Sequence, residues 1–277
     1  MSLALPQGLT FSRRVVVYIP VFNCADKIVS VLDDIPQEIW DVAEVLVIDN
    51  CSTDDSAEKV LTASKSRPGR PIHLIRPPRN LGYAGSQKLA YSLALESPRV
   101  QRVMMLHGDG QYPPQLLKEF LPYLDGDWGV VYGYRLKSGM NGREETPLFT
   151  YFTIKALSLL ESLITGYRRA EWHSGFVMYS RDFLSRVNLA GLTPSRHIDG
   201  HLLFAAGVLG VRTKPVPIYK RYRGYEGLKG WKRLRYVGQV LGLLLRFRAG
   251  QDEIALGSGS QTTPLDYSVL TGPSPKA

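Results

Sequence analysis

The chain has 277 residues, of which 44% are hydrophobic and 21% charged. This composition excludes an intrinsically disordered protein and predicts a globular one with a sizeable core. No run of 18 or more apolar residues is present, so we expect no membrane-spanning helix. The first residues lack the basic start and long apolar core of a signal peptide. Cys24 and Cys51 are too few for a disulfide framework and are interpreted as reduced thiols of a cytosolic protein.

The net charge of +9 is concentrated in one segment. Residues 212–248 hold eleven Lys or Arg and one acid, Glu226, and the rest of the chain is close to neutral. Such a block suits a nucleic acid, an anionic lipid surface or a phosphorylated substrate. Its basic residues alternate with aliphatic rather than stacking aromatic side chains, and no nucleic-acid-binding motif accompanies them. We therefore expect no nucleic-acid partner.

The first half of the chain alternates short apolar runs, typical of buried strands, with helical patterns. Strands are predicted at residues 15–19, 44–48, 71–75, 103–106 and 128–133. Helices are predicted over residues 26–32, after the capping residues 52–55, around residues 84–95 and over residues 114–124. Pro20 is expected to end the first strand. This alternation predicts an α/β fold, with a mostly parallel sheet and helices on both faces.

The second half has a different pattern. A very apolar helix is predicted over residues 148–164, with strands at 175–180 and 212–219. We expect residues 1–230 to form one domain, residues 231–250 an amphipathic helix, and residues 251–277 a flexible tail rich in Gly, Ser and Pro.

The most informative segment follows the fourth predicted strand and reads His107-Gly108-Asp109-Gly110-Gln111. Ligands of open α/β sheets bind just beyond the carboxyl ends of strands. Asp109 therefore lies where a hard cation and its phosphates would bind, and carboxylate oxygens suit Mg²⁺ or Mn²⁺. Gln111 can add an amide oxygen. For an isolated Asp-Gly pair, the alternative is a solvated turn aspartate.

Several motifs, in order and at the expected spacing, resemble the family 2 glycosyltransferases of the GT-A fold. In the first half they are Pro20-Val21-Phe22-Asn23, Val47-Ile48-Asp49-Asn50-Cys51-Ser52-Thr53-Asp54, Asn80-Leu81-Gly82 and the segment around Asp109. The second half resembles the polyprenyl-phosphate (dolichol-phosphate mannose synthase) branch through Ser174-Gly175-Phe176, Tyr179-Ser180-Arg181, Pro217-Ile218 and Arg221-Tyr222-Arg223-Gly224.

The resemblance implies an inverting transfer of a sugar from a UDP- or GDP-sugar, with Mg²⁺ or Mn²⁺ as cofactor. Asp109 and Gln111 are the implied metal ligands, and Asp109 and Asp199 the implied catalytic residues. Donor binding is implied for Pro20, Val21, Asn23, Asp49, Asn80, Gly82, Asp109 and Gln111, with the Asp49 carboxylate accepting from the base. Acceptor or phosphate binding is implied for Trp172, His173, Ser174, Arg221 and Arg223.

The chain departs from the family pattern at four places. Cys24 replaces a glutamate, Asn50-Cys51 replaces Asp-Gly, His107 replaces the first acid of the DXD motif, and Glu226-Gly227 replaces a Ser-Lys pair. His107 is either a ligand, preferentially for Mn²⁺, or a locally packed histidine. These departures keep open a catalytically inactive member that only binds nucleotide.

Several candidate residues have a structural alternative. Asp49 can be a turn or N-cap acid rather than a base-binding residue. Trp172 can be a buried core anchor rather than a platform for a sugar ring. The Arg221-Tyr222-Arg223 run can be a solvated basic loop rather than a phosphate site.

The role expected of Asp199 depends on the class of acceptor. Transfer to a sugar hydroxyl in lipopolysaccharide, capsule or glycan assembly needs a general base, and Asp199 lies about where the family places it. Transfer to a polyprenyl phosphate needs no base, because the acceptor oxygen is already ionised. Asp199 can instead be an acid at a helix N-terminus. We favour the lipid-linked phosphate because a basic helix follows the arginine run.

That helix, over residues 231–248, has apolar residues at helical spacing: Trp231, Leu234, Val237, Leu241, Leu244 and Leu245. Basic residues flank them, as in helices that lie in the plane of a membrane surface. The alternative is an amphipathic helix packed inside the protein. We expect a cytoplasmic protein attached peripherally to the inner face of the membrane.

Overall fold

The computed structural model describes residues 9–135, 146–222, 224, 230–250 and 267–271. The chain divides into two compact units. The first comprises Met1–Leu124 and Thr262–Ala277, and the second comprises Asp125–Gln261.

The described residues form eight strands and eight α-helices. The strands are β1 (Val15–Val21), β2 (Ala43–Asp49), β3 (Ile72–Arg76), β4 (Arg102–Met105), β5 (Val130–Arg135), β6 (Val177–Ser180), β7 (Thr213–Ile218) and β8 (Ser268–Thr271). The helices are α1 (Ile28–Asp33), α2 (Gln37–Val42), α3 (Ser56–Ser66), α4 (Gly82–Glu96), α5 (Leu148–Thr165), α6 (Arg181–Arg186), α7 (Ile198–Val208) and α8 (Gly230–Arg248). A 3₁₀ helix spans Pro114–Tyr123.

In the first unit the strands lie in the order β4-β1-β2-β3-β8. The pairs β4-β1, β1-β2 and β2-β3 are parallel. Every residue of β2 is buried, including Glu44, whose carboxylate is paired with the His73 imidazole. Near-continuous apolar strands are expected where a parallel sheet is covered on both faces. The parallel arrangement places the loops after β1, β2 and β4 at one edge of the sheet.

In the second unit β5 lies between β7, which is parallel to it, and β6, which is antiparallel. Helix α5 packs against α8. The predicted α/β class, with a mostly parallel sheet flanked by helices, is confirmed.

Four local features differ from the sequence expectations. Pro20 does not end β1, which continues to Val21 opposite Asp49, since the Pro20 carbonyl still accepts from Gly108 N–H at 3.3 Å. Helix α2 was not predicted. The segment Pro114–Tyr123 is a 3₁₀ rather than an α-helix, and Pro122 inside it removes a backbone donor. Strand β8 pairs antiparallel with β3 within the predicted flexible tail.

Among the described residues, one helix is long and apolar enough to cross a membrane, judged by length and composition alone. It is α5. Its 18 residues have a mean hydropathy of 1.3, and 22% of them are buried. The sequence expectation of no spanning helix rested on an uninterrupted apolar run, which Lys155 and Glu161 break. Glu161 itself is fully buried within the second unit. A core helix of a soluble protein can meet the same length and hydropathy, so the feature is weak support for a membrane span.

Candidate active site

Asp49 ends β2 and is completely buried. Its Oδ2 accepts a hydrogen bond from Arg76 Nε at 2.6 Å, and its Oδ1 accepts from Ser52 N–H at 3.1 Å. Arg76 comes from the end of β3 and is partly exposed. Arg76 also contacts Oδ2 through Nη2, so Oδ1 is the carboxylate oxygen that keeps a lone pair for a further donor. These contacts match the turn alternative. Base binding by Asp49 stays a prediction, and it requires the fully buried carboxylate to become accessible to the nucleobase.

Asn50 holds the Asn80–Gly82 turn in place. Leu81 N–H donates to Asn50 Oδ1 at 2.7 Å, and Asn50 Nδ2 donates to Asn80 Oδ1 at 3.0 Å and to the Gly82 carbonyl at 3.3 Å. Gly82 has a φ of +68°, a region that favours glycine. The sequence reading treated Asn50 only as a departure from the family pattern. The structure gives it a definite role, because an aspartate here would have no proton to donate.

The loops after β1 and β2 are linked through side chains. Asn23 Oδ1 accepts from Thr53 N–H at 2.9 Å, and Asn23 N–H donates to Ser52 Oγ at 3.0 Å. Asn23 and Cys51 adopt left-handed backbone conformations, with φ of 52° and 64°. Such conformations in residues other than glycine are uncommon and concentrate at functional sites.

Cys24, which stands where the family has an acid, is buried beside these loops. Its backbone N–H donates to Ser56 Oγ at 2.8 Å. Burial is the main cause that raises the pKa of the Cys24 thiol, and Asp109 adds to the shift. Cys24 therefore behaves as a neutral thiol.

Asp109 lies in the loop after β4, next to the end of β1. Gly108 approaches β1 so closely that a Cβ there would be 2.9 Å from the Pro20 carbonyl oxygen and 2.8 Å from Val21 Cγ2. Asp109 Oδ1 accepts from Gln111 N–H at 2.9 Å. The structure thus brings together four predicted donor-site residues, Pro20, Val21, Asp109 and Gln111.

The half-buried carboxylate of Asp109 fits a divalent cation. Its Oδ2 accepts no hydrogen bond from the part of the chain that the structure describes. With one protein carboxylate, the remaining ligands would be diphosphate and water oxygens, as is common for Mg²⁺. The His107 ring lies 5.0 Å from Tyr112 and 5.9 Å from Tyr83, centroid to centroid. These contacts favour local packing of His107 over metal ligation.

Two of the predicted acceptor residues are buried in the second unit. Trp172 is fully buried, donates from Nε1 to Ser162 Oγ at 3.0 Å, and packs edge-on against Phe204 at 4.9 Å. Its ring offers no face to a sugar, so the core-anchor alternative describes it better. Ser174 is also buried, with its Oγ accepting from Phe176 N–H at 3.3 Å. These side chains were assigned to an acceptor because sequence does not show which way they point.

Asp199 lies in the first turn of α7 and is only 5% exposed. Its carboxylate interacts with the Tyr179 phenol. Burial is the main cause that raises the pKa of Tyr179, and the Asp199 carboxylate adds to the shift. A general base must reach the proton that it removes. The burial of Asp199 matches the helix N-terminal alternative rather than the predicted catalytic base.

The arginine run is only partly described. Arg221 is half-buried just after β7. Arg223 lies outside the described residues, as do Glu226, Gly227 and, within the predicted tail over residues 251–277, residues 251–266 and 272–277.

Sequence reasoning missed a buried cluster in the second unit. Glu161, His173 and His197 converge on one another, and Tyr236 contacts both imidazoles. The one available signal was an acid within the very apolar segment of α5, because an unpaired charge there would be costly. His173 was assigned to the acceptor site, whereas its ring points into this cluster.

The chain is an α/β protein with linked loops at the carboxyl edge of a mostly parallel sheet and a carboxylate beside glycines, which is where proteins of this class bind their ligands. The family model described as glycosyl transferase family 2 matches residues 16–187. The chain belongs to this family and is a glycosyltransferase. No curated protein sequence matches the chain.

Several solved structures are similar to this one, among them glucosyl-3-phosphoglycerate synthase from Mycobacterium tuberculosis. Its complex with Mn²⁺, UDP and phosphoglyceric acid has 19% identity and a TM-score of 0.61, with 86% of this chain and 79% of that chain covered. Its complex with Mn²⁺, UDP-glucose and phosphoglyceric acid has 19% identity and a TM-score of 0.60, with 86% and 80% covered. Its complex with Mn²⁺, UDP and glucosyl-3-phosphoglycerate has 18% identity and a TM-score of 0.57, with 94% and 87% covered.

At this level of identity the likeness establishes the fold. The Mn²⁺ and UDP in those crystals agree with the predicted divalent cofactor and nucleotide sugar. The polyprenyl-phosphate branch stays a prediction.

Proposed function

We propose that this glycosyltransferase transfers a sugar, with inversion, from a UDP- or GDP-sugar to a polyprenyl phosphate at the cytoplasmic face of a membrane. The observation that supports a lipid-linked acceptor is a set of exposed apolar side chains on α5 and α8. We call it the apolar band: Leu148, Phe149, Phe152, Leu159, Leu163, Trp231, Leu234, Leu241 and Leu245.

The apolar band belongs to two helices that pack against each other within the second unit. Large exposed apolar patches mark surfaces that bind partners or membranes. The Arg233 guanidinium lies 5.0 Å over the Phe149 ring, and four more basic residues lie on α8: Lys232, Arg235, Arg246 and Arg248. Apolar side chains interleaved with Lys and Arg suit an anionic lipid surface, where both attractions act together.

The donor side rests on the loops after β1, β2 and β4. Asp49 would accept from the nucleobase, while Asn50 holds the Asn80–Gly82 turn in place. Asp109 would hold Mg²⁺ or Mn²⁺, which when bound neutralises the diphosphate leaving group. Hydrogen bonds within and between these loops, and from Arg76, fix these side chains before the donor arrives, so less ordering is needed on binding.

The acceptor side is consistent with a phosphate. An ionised phosphate oxygen attacks without losing a proton, so the burial of Asp199 does not obstruct the reaction. Half-buried Arg221 can pair with the phosphate. A second candidate is a small phosphorylated acid, because the structurally similar M. tuberculosis synthase was crystallised with phosphoglyceric acid. The least favoured candidate is a glycan hydroxyl, which would need an accessible base.

The test is a product assay with the purified full chain, labelled UDP- and GDP-sugars, and Mg²⁺ or Mn²⁺. Polyprenyl phosphate in anionic vesicles and free 3-phosphoglycerate serve as competing acceptors. We expect an acid-labile lipid product whose new bond joins the sugar to a phosphate oxygen. A water-soluble product would support the second candidate, and a sugar–hydroxyl bond would overturn the phosphate acceptor.

A further inference from the structure

Three ligand-type side chains meet in the interior of the second unit. His173 Nε2 lies 2.8 Å from Glu161 Oε2, and His197 Nε2 lies 2.7 Å from Glu161 Oε1. All three side chains are at most 4% exposed, and one ligand atom from each lies within 4.8 Å of the others. They come from α5, from the loop before β6 and from the residue before α7.

The atoms that face one another in this cluster make no aligned hydrogen bonds. Both carboxylate oxygens of Glu161 and the Nε2 atoms of His173 and His197 are buried without a hydrogen-bond partner among the described residues. Buried polar atoms in native proteins are nearly always satisfied. Nitrogen–oxygen distances of 2.7 and 2.8 Å are also those of hydrogen bonds, so these contacts fit either a metal-free ion pair or ligands that move slightly apart around a shared cation.

The outer nitrogens of the two imidazoles share a partner. Tyr236 Oη lies 2.8 Å from His173 Nδ1 and 3.2 Å from His197 Nδ1. A phenol oxygen can accept two N–H bonds. If both Nδ1 atoms donate to it, both Nε2 lone pairs are free to bind a metal. Metal-binding histidines usually donate their second nitrogen to such a partner.

The backbone of one ligand is fixed as well. Arg135 donates to the His173 carbonyl at 3.0 Å, and its Nε donates to the buried Glu171 carboxylate at 2.7 Å. This Arg135–Glu171 pair is internally neutral, so Glu161 is left as the negative ligand of the cluster.

We propose that Glu161, His173 and His197 bind a first-row divalent cation, preferentially Zn²⁺, and that Tyr236 positions both imidazoles. Two imidazoles with one carboxylate form a donor set that suits Zn²⁺ better than the hard cation Mg²⁺. The site draws no ligand from the loop that contains Asp109. It joins α5 to the start of α7, and through Tyr236 to α8, so the cation stabilises the unit that carries the apolar band.

The competing explanation is a metal-free ring of four hydrogen-bonded contacts. Glu161 contacts the Nε2 atom of each imidazole, and Tyr236 Oη contacts the Nδ1 atom of each. The four contacts need four protons, whereas two neutral imidazoles and one phenol supply three, so one histidine would have to be cationic beside Glu161. The experiment must therefore separate a bound metal from a protonated ion pair.

The test uses the purified full chain carrying Asp109→Asn, so that the donor site does not contribute metal. After chelator treatment and dialysis, ZnSO₄ is titrated by calorimetry and bound zinc is measured by elemental analysis. We expect one equivalent of Zn²⁺, lost in Glu161→Gln and in His173→Gln. Tyr236→Phe should keep one equivalent with about 10- to 100-fold weaker affinity. The matched control is His73→Gln, which removes a buried histidine paired with a single carboxylate, Glu44, and should leave zinc binding unchanged.

X-ray absorption on the same protein needs no cluster variant and so remains decisive if those variants fail to fold. Two imidazoles and oxygen at about 2.0–2.1 Å around zinc would support the site. Less than one equivalent of zinc, binding unaffected by His173→Gln, or zinc without imidazole ligands would overturn it.

Discussion

Asn50 donates its side-chain amide to Asn80 Oδ1 at 3.0 Å while its own Oδ1 accepts from Leu81 N–H at 2.7 Å. One buried amide thus holds the Asn80–Gly82 turn through both its nitrogen and its oxygen. An aspartate of the same shape could keep only the second bond.

Asn50→Asp should destabilise the protein and weaken UDP or GDP binding. The new carboxylate would face the Asn80 and Gly82 oxygens without a proton, at a cost of about 1–3 kcal/mol for the unsatisfied buried groups. Urea denaturation and nucleotide calorimetry measure the two effects. Asn188→Asp is the control, because among the described residues Asn188 makes one side-chain hydrogen bond, in which its Oδ1 accepts from Gly191 N–H. Wild-type stability and affinity in Asn50→Asp would contradict the assigned role.

The strands of the first unit and the loops that end them were accessible from sequence, because parallel strands are long apolar runs and Gly, Pro and Asp follow them. The burial of Trp172 and Ser174 could not be predicted from the sequence, because a residue pattern does not reveal which way a loop side chain faces. Strand β8 depends on pairing with β3, almost two hundred residues away in the chain. The cluster of Glu161, His173, His197 and Tyr236 joins four segments that are far apart in the chain, so local sequence carries almost no signal for it.

Asp49→Asn should lower affinity for UDP or GDP by roughly 1–3 kcal/mol, the scale of a lost buried hydrogen bond. The amide keeps one acceptor oxygen, and its NH₂ group would face either Arg76, Ser52 N–H or the base. Calorimetry with both nucleotides checks this. Arg76→Gln is the informative comparison, because it removes the ion pair and leaves the carboxylate. Unchanged nucleotide affinity in Asp49→Asn would exclude base recognition by Asp49.

Asp109→Asn should reduce the rate of sugar transfer by about 10²-fold or more, the usual effect of losing a group that stabilises developing charge. The amide oxygen can still accept from Gln111 N–H, so the fold should be retained. Initial rates at saturating Mn²⁺ measure the loss, and exposed Asp26→Asn serves as the control. Retention of more than about a tenth of the wild-type rate would refute the assignment.

Asp199→Asn should change kcat by no more than a few-fold, because a phosphate acceptor has no proton to remove. A general base would instead contribute about 10²–10⁴ in kcat. The same substitution should lower thermal stability, since an acid in the first turn of a helix is favourable by up to about 2 kcal/mol when it is sheltered from solvent, as Asp199 is. A large loss of kcat at unchanged stability would point to a hydroxyl acceptor.

The apolar band should hold the protein reversibly on anionic membranes. Trp231 is 77% exposed and Leu163 is 72% exposed, and nearby Lys and Arg contribute about 1 kcal/mol each near an anionic leaflet. Replacing Leu163, Trp231 and Leu245 by Gln should move the protein from the vesicle pellet to the supernatant in cosedimentation. Raising the salt concentration should weaken binding of the wild type, because salt screens the charge contribution.

The matched control for the apolar band is Val208→Gln, which changes another exposed apolar side chain of the second unit, on α7. It should bind vesicles as the wild type does. Charge reversal at Arg233 and Arg235 tests the electrostatic part separately and should weaken binding to anionic but not to neutral vesicles. If the triple Gln variant and the wild type partition equally onto anionic vesicles, the apolar band does not contact lipid. A partner protein must then cover it, and the case for a membrane-bound acceptor fails with it.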